Sequence, residues 1–379
     1  MKNKILMVVN VDWFFLSHRL PIALAAIDEG YEVHIATSLT QPRAELEKYG
    51  LIVHPIDLHR GKIGLLSIMI YFFNVISLLK EIKPNLIHLV TIKPVLLGGV
   101  AARIMRVPAV VYAISGMGYV YIGTSITHKL LRKFISFLYM SALNHFNSIV
   151  ILQNPTDMKD IVRIAKLKHN SARIIKGSGV DISQYKLIDL PSGRPIIMLP
   201  SRFLRDKGIY EFIEAARGYS NTNIDEALPR FVLVGETDPE NKATIKNNQL
   251  KKWEMEGVIE NWGFQTDMVK VLSQSTIIVL PSYREGLPKV LLEAAACGRP
   301  IITTDVPGCR DAIIPNVTGK LVQAKDPFAI QMAIKELLDD RELLKKMGKQ
   351  GRIFAEENFD LSDVIAEHLQ IYHSLIEAS

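Results

Sequence analysis

Residues 276–300 read TIIVLPSYREGLPKVLLEAAACGRP, and this stretch decides the fold of its half of the chain. Its opening run, TIIVLPS, is apolar throughout, which is typical of a buried parallel strand. Pro288 suits the first position of a following helix, because its fixed φ fits that turn and its missing N–H is no loss. Gly298 ends the helix and Pro300 forbids its continuation. The order of strand, loop and helix predicts a βα unit with its loop at the carboxyl end of a sheet, where open α/β sheets bind ligands.

The same rhythm runs along the whole chain. Predicted strands lie at residues 4–10, 31–37, 51–56, 85–91, 109–115 and 148–154, and again at 195–202, 230–236, 258–264, 276–282 and 300–305. A stretch rich in glycine, serine and proline at 177–195 separates the two series. The pattern predicts an α/β protein of two doubly wound, Rossmann-like domains facing a cleft. We expect an N-terminal domain at 1–180, a C-terminal domain at 190–355, and a helix at 356–379 that could cross back to the first domain.

Composition agrees with two folded domains. The chain has 379 residues, 48% of them hydrophobic and 22% charged, which is too long for one ordinary core and too apolar for wholesale disorder. Its two cysteines, Cys297 and Cys309, cannot form a disulfide framework or a zinc site and indicate a reducing cytoplasm. The apolar run near the N-terminus is short and is broken by Asn10 and Asp12, so we interpret it as a first strand and not a signal peptide.

Charge is distributed unevenly between the halves. Residues 1–190 carry 22 Lys and Arg against 12 Asp and Glu, whereas the remainder carries 23 against 27. A basic first half suggests an anionic partner for it. Nucleic acid, a lipid surface and a phosphorylated acceptor all fit this observation.

Two segments bear on membrane contact. Residues 63–79, IGLLSIMIYFFNVISLL, are nearly all apolar but span only about 26 Å as a helix, just short of a bilayer crossing. A buried crossover helix and a membrane-contacting helix both remain open for this segment. Residues 128–146 open with basic residues and continue with an amphipathic pattern. Together the segments suggest peripheral attachment to an anionic membrane.

Two glutamates in the opening stretch could carry chemistry. Glu285 falls in the loop just before the predicted helix, and Glu293 falls about one and a half turns inside it. The backbone N–H groups near Gly286 and Leu287 suit an anionic phosphate, whereas a carboxylate is better suited to sugar hydroxyls. The alternative is that Glu285 is a simple cap and Glu293 a solvated helix residue.

A pair of cations is predicted at the mouth of the same sheet. Arg202 ends the strand of residues 195–202, and Lys207 follows five residues later, before Gly208 and a helix. Such cations could stabilise a leaving diphosphate where no metal supplies charge, and no Asp-x-Asp motif occurs in the chain. The alternative is a surface cluster of the kind that Arg205 and Asp206 resemble.

These residues together resemble the retaining glycosyltransferases of family 4. The motifs are R-x₄-K-G at 202–208, E-G-L-P at 285–288 and the second glutamate, Glu293. FVLVGE at 231–236, GSGVD at 177–181 and the helical tail extend the resemblance over nearly the whole chain. The resemblance implies the GT-B fold, a nucleotide-diphosphate sugar as donor, no divalent metal, and no cofactor beyond a UDP-sugar co-substrate.

The resemblance also implies residue roles. Arg202 and Lys207 would hold the diphosphate as it leaves, Glu285 would bind hydroxyls of the donor sugar, and Glu293 would bind those of the ribose. Further donor-binding candidates are Gly286, Leu287 and Pro288 through their backbone, and Gly235, Glu236, Gly263 and Phe264 at the nucleotide rim. The anomeric configuration would be retained through same-face attack assisted by the departing diphosphate, since no residue is an obvious covalent nucleophile.

By the same resemblance the first domain binds the acceptor. Its polar candidates at predicted strand ends are Ser17, His18, Arg19, Thr91, Lys93, Ser115, Gly116 and Gly118. FFLSHRLPI and SGMGYVY resemble the subgroup that adds N-acetylhexosamine in an α1,3 linkage to polyprenyl-diphosphate-linked saccharides. The chain departs from many family members by having NVDWFF in place of a double glycine and AISGMG in place of a histidine region.

The favoured interpretation is a peripheral membrane glycosyltransferase at the cytoplasmic face of the inner membrane, active in cell-surface glycan or polysaccharide assembly and not on nucleic acid. A GT-B sugar-nucleotide epimerase and a catalytically silent lipid- or saccharide-binding protein are the alternatives. A nicotinamide dehydrogenase is excluded, because no G-x-G-x-x-G follows the first strand.

Overall fold

The computed structural model describes residues 2–56, 64–117, 126–168, 170–222 and 228–379. The chain forms two compact units, one of residues 1–178 with 362–379 and one of residues 179–361. The first boundary falls inside the predicted linker at 177–195.

A seven-stranded parallel sheet forms the centre of the first unit. Its strands are β1 (Lys4–Val11), β2 (Glu32–Ser38), β3 (Ile52–Pro55), β4 (Leu86–Val90), β5 (Ala109–Ile114), β6 (Ser148–Leu152) and β7 (Ala172–Ile174), in the spatial order β3-β2-β1-β4-β5-β6-β7. In the register of the central strands, Ile5 pairs with Val33 on one side and Leu86 on the other. The six strands predicted for this half are all present, and β7 was missed because it is short and its residues are only partly buried.

Helices cover both faces of this sheet. They are α1 (Asp12–His18), α2 (Leu20–Asp28), α3 (Ala44–Glu47), α4 (Leu65–Ile82), α5 (Gly99–Ile104), which follows a π-helical turn at Pro94–Gly98, α6 (Ile126–Leu143) and α7 (Pro155–Ala165). Alternate residues of β1 point to opposite cores, because side chains alternate along a strand. Leu6 and Val8 pack with α4 to α7, whereas Ile5 and Met7 pack with α1 and α2.

The second unit has a six-stranded parallel sheet. Its strands are β8 (Ile196–Pro200), β9 (Arg230–Val234), β10 (Glu260–Asn261), β11 (Ile277–Leu280), β12 (Ile301–Thr304) and β13 (Gly319–Val322), in the spatial order β10-β9-β8-β11-β12-β13. Its helices are α8 (Ile209–Thr222), α9 (Asn247–Met255), α10 (Met268–Ser273), α11 (Lys289–Ala296), α12 (Pro327–Asp339) and α13 (Arg341–Asn358). Two hydrophobic cores on opposite faces of this sheet complete the unit. The prediction of two doubly wound, parallel α/β domains is confirmed.

The last helix, α14 (Leu361–Glu377), packs in the first unit, although the chain reaches it from the second. A buried hydrogen bond of 2.6 Å joins the Tyr372 hydroxyl to Nδ1 of His88 in β4. The Asn147 side chain donates to the carbonyl oxygen of Leu375 at 2.8 Å. These contacts hold α14 to the sheet of the first unit.

The apolar segment predicted at 63–79 corresponds to α4, apart from Ile63, which lies outside the described residues. Tyr71, Val75 and Leu79 are buried in the core, as the crossover interpretation requires, while other apolar residues of α4 are exposed. No helix in the described parts of the chain is both long enough and apolar enough to cross a membrane.

Each sheet has a point at which the strand order reverses. The reversal lies between β1 and β4 in the first unit and between β8 and β11 in the second. The loops that leave the carboxyl ends of two such strands diverge to opposite faces and leave a crevice, which is where doubly wound sheets bind ligands. The topology therefore directs attention to the segments that follow these four strands.

Candidate functional site

Glycine brings the loops after β8 and β11 into contact. Gly208 ends the short 3₁₀ turn of Arg205–Lys207 with a φ of +75°. A Cβ atom at this position would lie 2.2 Å from the carbonyl oxygen of Pro281, which follows β11. Only glycine combines this backbone conformation with so close an approach. The backbone N–H of Tyr283 also donates to the carbonyl oxygen of Asp206 at 2.9 Å, so the two loops form one surface.

Lys207 and Glu285 meet across this junction. The Lys207 ammonium forms an ion pair with the Glu285 carboxylate, and both side chains are mostly buried. The backbone N–H of Glu285 donates to the carbonyl oxygen of Pro307 at 3.1 Å, which fixes the residue from the other side. The cation predicted for the diphosphate and the carboxylate predicted for the sugar are therefore direct neighbours, although 78 residues separate them in sequence.

Arg202 is held by a residue that the sequence analysis missed. Its Nη1 donates to Oδ2 of Asp238 at 2.7 Å, and Asp238 is the less exposed of the two side chains. The surrounding backbone is also joined, because Phe203 N–H donates to the Glu236 carbonyl oxygen at 2.7 Å. Asp238 lies four residues beyond the end of β9, and β9 neighbours β8, the strand that precedes Arg202. This position after a neighbouring strand is the sequence feature that could have identified Asp238 as a partner of Arg202.

The residues predicted for the nucleotide rim lie after β9 and β10. The Gly235 N–H donates to the carbonyl oxygen of Gly263 at 2.9 Å, which brings these two glycines together. A Cβ atom on Gly235 would lie 2.0 Å from the Ser201 carbonyl oxygen, so this loop also packs directly on the segment after β8. Glu236 and Phe264 are both exposed.

Glu293 lies in α11 and is only 5% exposed. Its Oε1 accepts a hydrogen bond of 2.9 Å from the Tyr185 hydroxyl and lies 3.5 Å from Nζ of Lys289. Burial raises the pKa of the Glu293 carboxyl, and the nearby Lys289 and Tyr185 act in the opposite direction. The alternative that Glu293 is a solvated helix residue is wrong. Burying a carboxylate is costly unless it is hydrogen-bonded, and Tyr185 of the predicted linker supplies that hydrogen bond to Glu293.

The start of α11 differs from the prediction by one residue. Pro288 is the N-cap, with a φ of −72°, and the helix begins at Lys289. Because Pro288 has no N–H, only Gly286 and Leu287 among the three predicted backbone positions can donate hydrogen bonds. Both of these residues are buried, in the loop between Glu285 and the helix.

The acceptor-side candidates follow three adjacent strands of the first unit. Ser17 and His18 follow β1, Thr91 and Lys93 follow β4, and Ser115 with Gly116 follows β5; Gly118 lies outside the described residues. The prediction that Ser17 and His18 lie at the end of a strand is wrong, because β1 ends at Val11 and both residues belong to helix α1, which begins at Asp12. Within α1, the Ser17 hydroxyl and Nδ1 of His18 form a hydrogen bond of 2.5 Å.

Thr91 has an unusual backbone. Its φ is +73°, a conformation that β-branched residues rarely adopt because of steric strain. Its N–H donates to the Ala113 carbonyl oxygen at 3.1 Å, and its hydroxyl oxygen is buried with no hydrogen-bond partner among the described residues. Backbone strain of this kind concentrates at functional positions.

Arg19 is 2% exposed, and its Nη1 donates to the carbonyl oxygen of His18 at 2.9 Å. Burial lowers the pKa of Arg19 to about 10, and the Tyr372 hydroxyl acts in the other direction. Two other buried side chains, His88 and His368, lie near Arg19, whose positive charge helps to lower the pKa of each histidine. Its prediction as an acceptor-binding residue stays a prediction, and its burial favours a structural role in fixing α14.

No group of three His, Cys, Asp or Glu side chains arranged to hold a metal ion occurs among the described residues. The cysteines Cys297 and Cys309 are both buried and unpaired by disulfides. Among the polar groups that follow β8, β9 and β11 are two cations that each pair with a carboxylate, Lys207 with Glu285 and Arg202 with Asp238.

Comparison with known proteins identifies both halves of the chain. The family described as glycosyl transferases group 1 matches residues 185–354, and the family described as glycosyl transferase 4-like matches residues 4–154. Together the two matches cover most of the chain.

Two relatives and one solved structure are similar over most of their length. The Campylobacter jejuni N,N'-diacetylbacillosaminyl-diphospho-undecaprenol α-1,3-N-acetylgalactosaminyltransferase is 27% identical over 96% of this chain and 98% of its own. The Escherichia coli UDP-Gal:α-D-GlcNAc-diphosphoundecaprenol α-1,3-galactosyltransferase is 24% identical over 83% of this chain and 81% of its own. The crystal structure of Anabaena HepE in complex with UDP and glucose superposes with a TM-score of 0.77 at 18% identity, over 98% of this chain and 100% of that one.

The structural likeness confirms the predicted GT-B fold, and the relatives confirm the predicted resemblance to transferases that act on polyprenyl-diphosphate-linked saccharides. Because its first half matches the glycosyl transferase 4-like family and its second half matches glycosyl transferases group 1, the chain is a glycosyltransferase of the group 1 and 4-like type.

Proposed function

We propose that this chain is a retaining, metal-independent hexosyltransferase that moves a sugar, an N-acetylhexosamine in our assignment, from a UDP-sugar to a polyprenyl-diphosphate-linked saccharide. The observation that carries the proposal is the ion pair between Lys207 and Glu285 beside the Arg202–Asp238 pair. The two pairs lie at the strand-order reversal of one sheet, and in our proposal the cations bind the diphosphate and Glu285 binds the sugar.

The two cations suit a diphosphate differently. Arg202 offers a planar fork and is partly exposed, so it can bind phosphate oxygens while Asp238 fixes its orientation. Lys207 is a point charge already paired with Glu285. A bound donor would replace the ion pair between Lys207 and Glu285. Its phosphate oxygens would accept hydrogen bonds from the Lys207 ammonium, and its sugar hydroxyls would donate to the Glu285 carboxylate.

In the proposed reaction, the bond between the anomeric carbon and the diphosphate oxygen breaks, and its electron pair goes to the diphosphate. Arg202 and Lys207 stabilise the charge that develops there, as fixed cations do in other transferase sites. The acceptor hydroxyl oxygen forms the new bond on the same face of the sugar, and its proton passes to a departing phosphate oxygen. The chain's own side chains supply the positive charge, and the proposal includes no metal or cofactor.

The donor assignment rests on the second glutamate and on the relatives. Buried Glu293 can accept from both hydroxyls of a ribose ring, and the hydrogen-bonded glycines Gly235 and Gly263 are our candidates for the base. The Escherichia coli relative is named for UDP-Gal, and Anabaena HepE was solved with UDP and glucose. These names support UDP as the nucleotide.

The acceptor assignment rests on the first unit. Both relatives are named for undecaprenyl-diphosphate-linked acceptors. Lys93 and the strained Thr91 supply a cation and a hydroxyl just after β4, and the Ser17–His18 pair lies at the end of α1, the helix that follows the adjacent strand β1. With this acceptor, the enzyme would work peripherally at the cytoplasmic face of the inner membrane in cell-surface glycan assembly, with an anionic membrane surface and no nucleic acid as partner.

The test offers the purified protein a panel of UDP-sugars with and without a polyprenyl-diphosphate saccharide and measures the products by mass spectrometry and the anomeric configuration by NMR. We expect one sugar to be added, with retention, only when acceptor is present. UDP release or sugar rearrangement that is independent of acceptor would instead indicate the epimerase alternative. No turnover with any donor would indicate a silent binding protein.

Substitutions test the site itself. Lys207→Ala and Glu285→Ala should each lower kcat by about 100-fold or more, because each removes a charge aimed at the reacting groups. Arg205→Ala is the matched control, since Arg205 lies in the same turn but is exposed and packs over the ring of Tyr210 at 5.6 Å. Wild-type activity in both site variants, in a UDP-release assay, would refute the assignment.

A further inference from the structure

Helix α4 is apolar on two opposite faces. Tyr71, Val75 and Leu79 lie on the face that packs into the core of the first unit. Four residues on the opposite face are between 50% and 71% exposed: Leu66, Met69, Ile70 and Phe73. Their spacing of i, i+3, i+4 and i+7 makes one continuous stripe. A helix on a water-exposed surface normally has polar residues there, so this stripe calls for a partner.

The stripe ends halfway along the helix. The next positions on the exposed face are Asn74, Ser77, Lys80 and Glu81, which are all polar and exposed. The apolar part, from Leu66 to Phe73, is about 11 Å long. That length is far too short to cross a hydrocarbon core, whereas a helix that lies in the plane of a membrane interface needs only one apolar face.

Helix α6 adds to the same surface. Phe134 and Phe137 are 59% and 58% exposed, three residues apart. Helix α5 packs against both α4 and α6, so all three helices lie side by side on one face of the sheet. Because α4 and α6 each lead into a strand of a parallel sheet, both begin near its carboxyl edge. We call the six residues the α4–α6 face: Leu66, Met69, Ile70, Phe73, Phe134 and Phe137.

Charge decides between the possible occupants. From residue 64 to residue 146 the sequence contains eight Lys and Arg and a single acidic residue, Glu81. Exposed members of this set flank the face at Lys80, Lys83 and Lys133. A second copy of the chain would bring like charges together, which is unfavourable. An anionic lipid surface accepts apolar side chains and lysines at once.

We propose that the α4–α6 face is the membrane-docking surface of this enzyme and that it enters the interface of a bilayer rich in anionic lipid. Phe73, Phe134 and their apolar neighbours enter the headgroup boundary, while the flanking lysines bind lipid phosphates. The inference deepens the proposed function, since it assigns the residues that hold the first unit at the surface where a lipid-linked acceptor resides.

Vesicle binding tests the inference without requiring activity. We would measure co-sedimentation with vesicles of phosphatidylcholine alone and of phosphatidylcholine with about 30% phosphatidylglycerol. The wild type should bind the anionic vesicles, and added salt should weaken binding. Met69→Ser/Phe73→Ser and Phe134→Ser/Phe137→Ser should each weaken binding at least about tenfold, because each removes two inserting side chains.

Phe146→Ser is the matched control, because Phe146 is 73% exposed but follows α6 at the opposite edge of the sheet. It should bind vesicles as the wild type does. Unchanged binding in both double variants, or no binding by the wild type, would overturn the inference. So would a wild-type dimer that the double variants convert to monomers without losing vesicle binding. Circular dichroism and UDP binding verify that each variant is folded.

The two proposals fail separately. If the membrane surface is wrong but the reaction is right, transfer to a short-chain, detergent-soluble acceptor proceeds although vesicles are not bound. If the reaction is wrong, no transfer occurs with either acceptor, whatever the vesicle result. If both are right, the double variants keep transfer to the soluble acceptor and lose it for acceptor embedded in anionic vesicles.

Discussion

The hydroxyl of Tyr185 donates a 2.9 Å hydrogen bond to the carboxylate of Glu293, a residue 108 positions later in the chain. Arg352 of α13 holds the tyrosine in place, because its guanidinium donates both to the Tyr185 carbonyl oxygen and to that of Ala296 at the end of α11. The start of the second unit is thereby fixed to the helix that bears Glu293. A side chain from outside the sequence motif thus orients the carboxylate proposed for the ribose.

Tyr185→Phe should weaken UDP binding about fivefold, the usual effect of losing one hydrogen bond of about 1 kcal/mol. The phenylalanine fills nearly the same space but leaves Glu293 without its 2.9 Å donor. Isothermal titration with UDP measures the effect. Tyr219→Phe, at another buried tyrosine of the same unit, is the control and should bind UDP normally. Equal affinity in both variants would remove the positioning role of Tyr185.

Asp238→Ala should raise the donor KM about five- to tenfold, because Arg202 loses the carboxylate that fixes its orientation at 2.7 Å. In an Arg202→Ala background the same change should have little further effect, since the two residues act as one unit. A double-mutant cycle on donor KM measures this coupling. Full additivity of the two substitutions would contradict it.

Much of the candidate site in the second unit could be predicted from sequence, because its placement depends on local signals. A buried apolar strand followed by a loop, Pro288 and an alanine-rich helix specifies a βα unit without knowledge of the rest of the chain. Arg202, Lys207 and Glu285 stand directly after such strands, so the sheet itself brings them to one edge. The topology of a parallel sheet is therefore enough to predict that these residues lie near one another, without knowledge of their individual contacts.

The partners of these residues could not be predicted in the same way. Asp238 and Tyr185 reach the site from segments with no fixed spacing to Arg202 or Glu293, and a sequence does not reveal which distant side chains meet. The burial of Arg19 was also unpredictable, because it depends on α14 returning to the first unit and covering it. A charged residue between two helices, as Arg19 is between α1 and α2, looks the same in sequence whether a third helix covers it or not.

Gly208→Ala should destabilise the second unit by about 3 kcal/mol or more, since it adds a backbone clash to an unfavourable φ. The clash is with Pro281, whose carbonyl oxygen would lie 2.2 Å from the new Cβ atom. Gly257→Ala is the matched control, because Gly257 has a similar φ of +69° but nothing within 4 Å of a Cβ atom. It should cost only about 1 kcal/mol.

Urea unfolding compares these two glycine variants, and UDP release should fall more than tenfold in Gly208→Ala because relief of the clash separates Lys207 from Glu285. Equal loss of stability in the two variants would show that the backbone conformation alone, and not the close contact between the loops, accounts for the cost of replacing Gly208.

The first unit should lose stability in mild acid because two histidines, His368 of α14 and His88 of β4, are buried where this helix packs on the sheet. His368 is 1% exposed, and its Nδ1 lies 2.7 Å from the Val364 carbonyl oxygen. Burial lowers its pKa from 6.5 to about 3, and the nearby Arg19 acts in the same direction. Burial likewise holds the pKa of His88 well below 6.5, helped by His368 and Arg19. The folded unit therefore keeps both rings neutral where the unfolded chain would protonate them.

Because the unfolded state binds the extra proton, stability is full above about pH 6.5 and falls as the pH decreases from 6.5 toward 3. For His368 alone the loss approaches about 1.4 kcal/mol per pH unit, or about 2 kcal/mol at pH 5. His368→Gln should remove this part of the pH dependence, even if the variant is less stable at pH 7.5. His373→Gln is the comparison variant, because it removes a histidine of the same helix that is only partly buried.

Urea titrations between pH 7.5 and 5 measure the effect for the first unit alone when Trp253 and Trp262 are replaced by phenylalanine in every variant, because Trp13 is then the sole tryptophan. The slope of the free energy of unfolding against pH should be shallower in His368→Gln than in the reference protein. A slope equal to that of His373→Gln would mean that His368 is protonated in the folded state, and that α14 does not shield it from water.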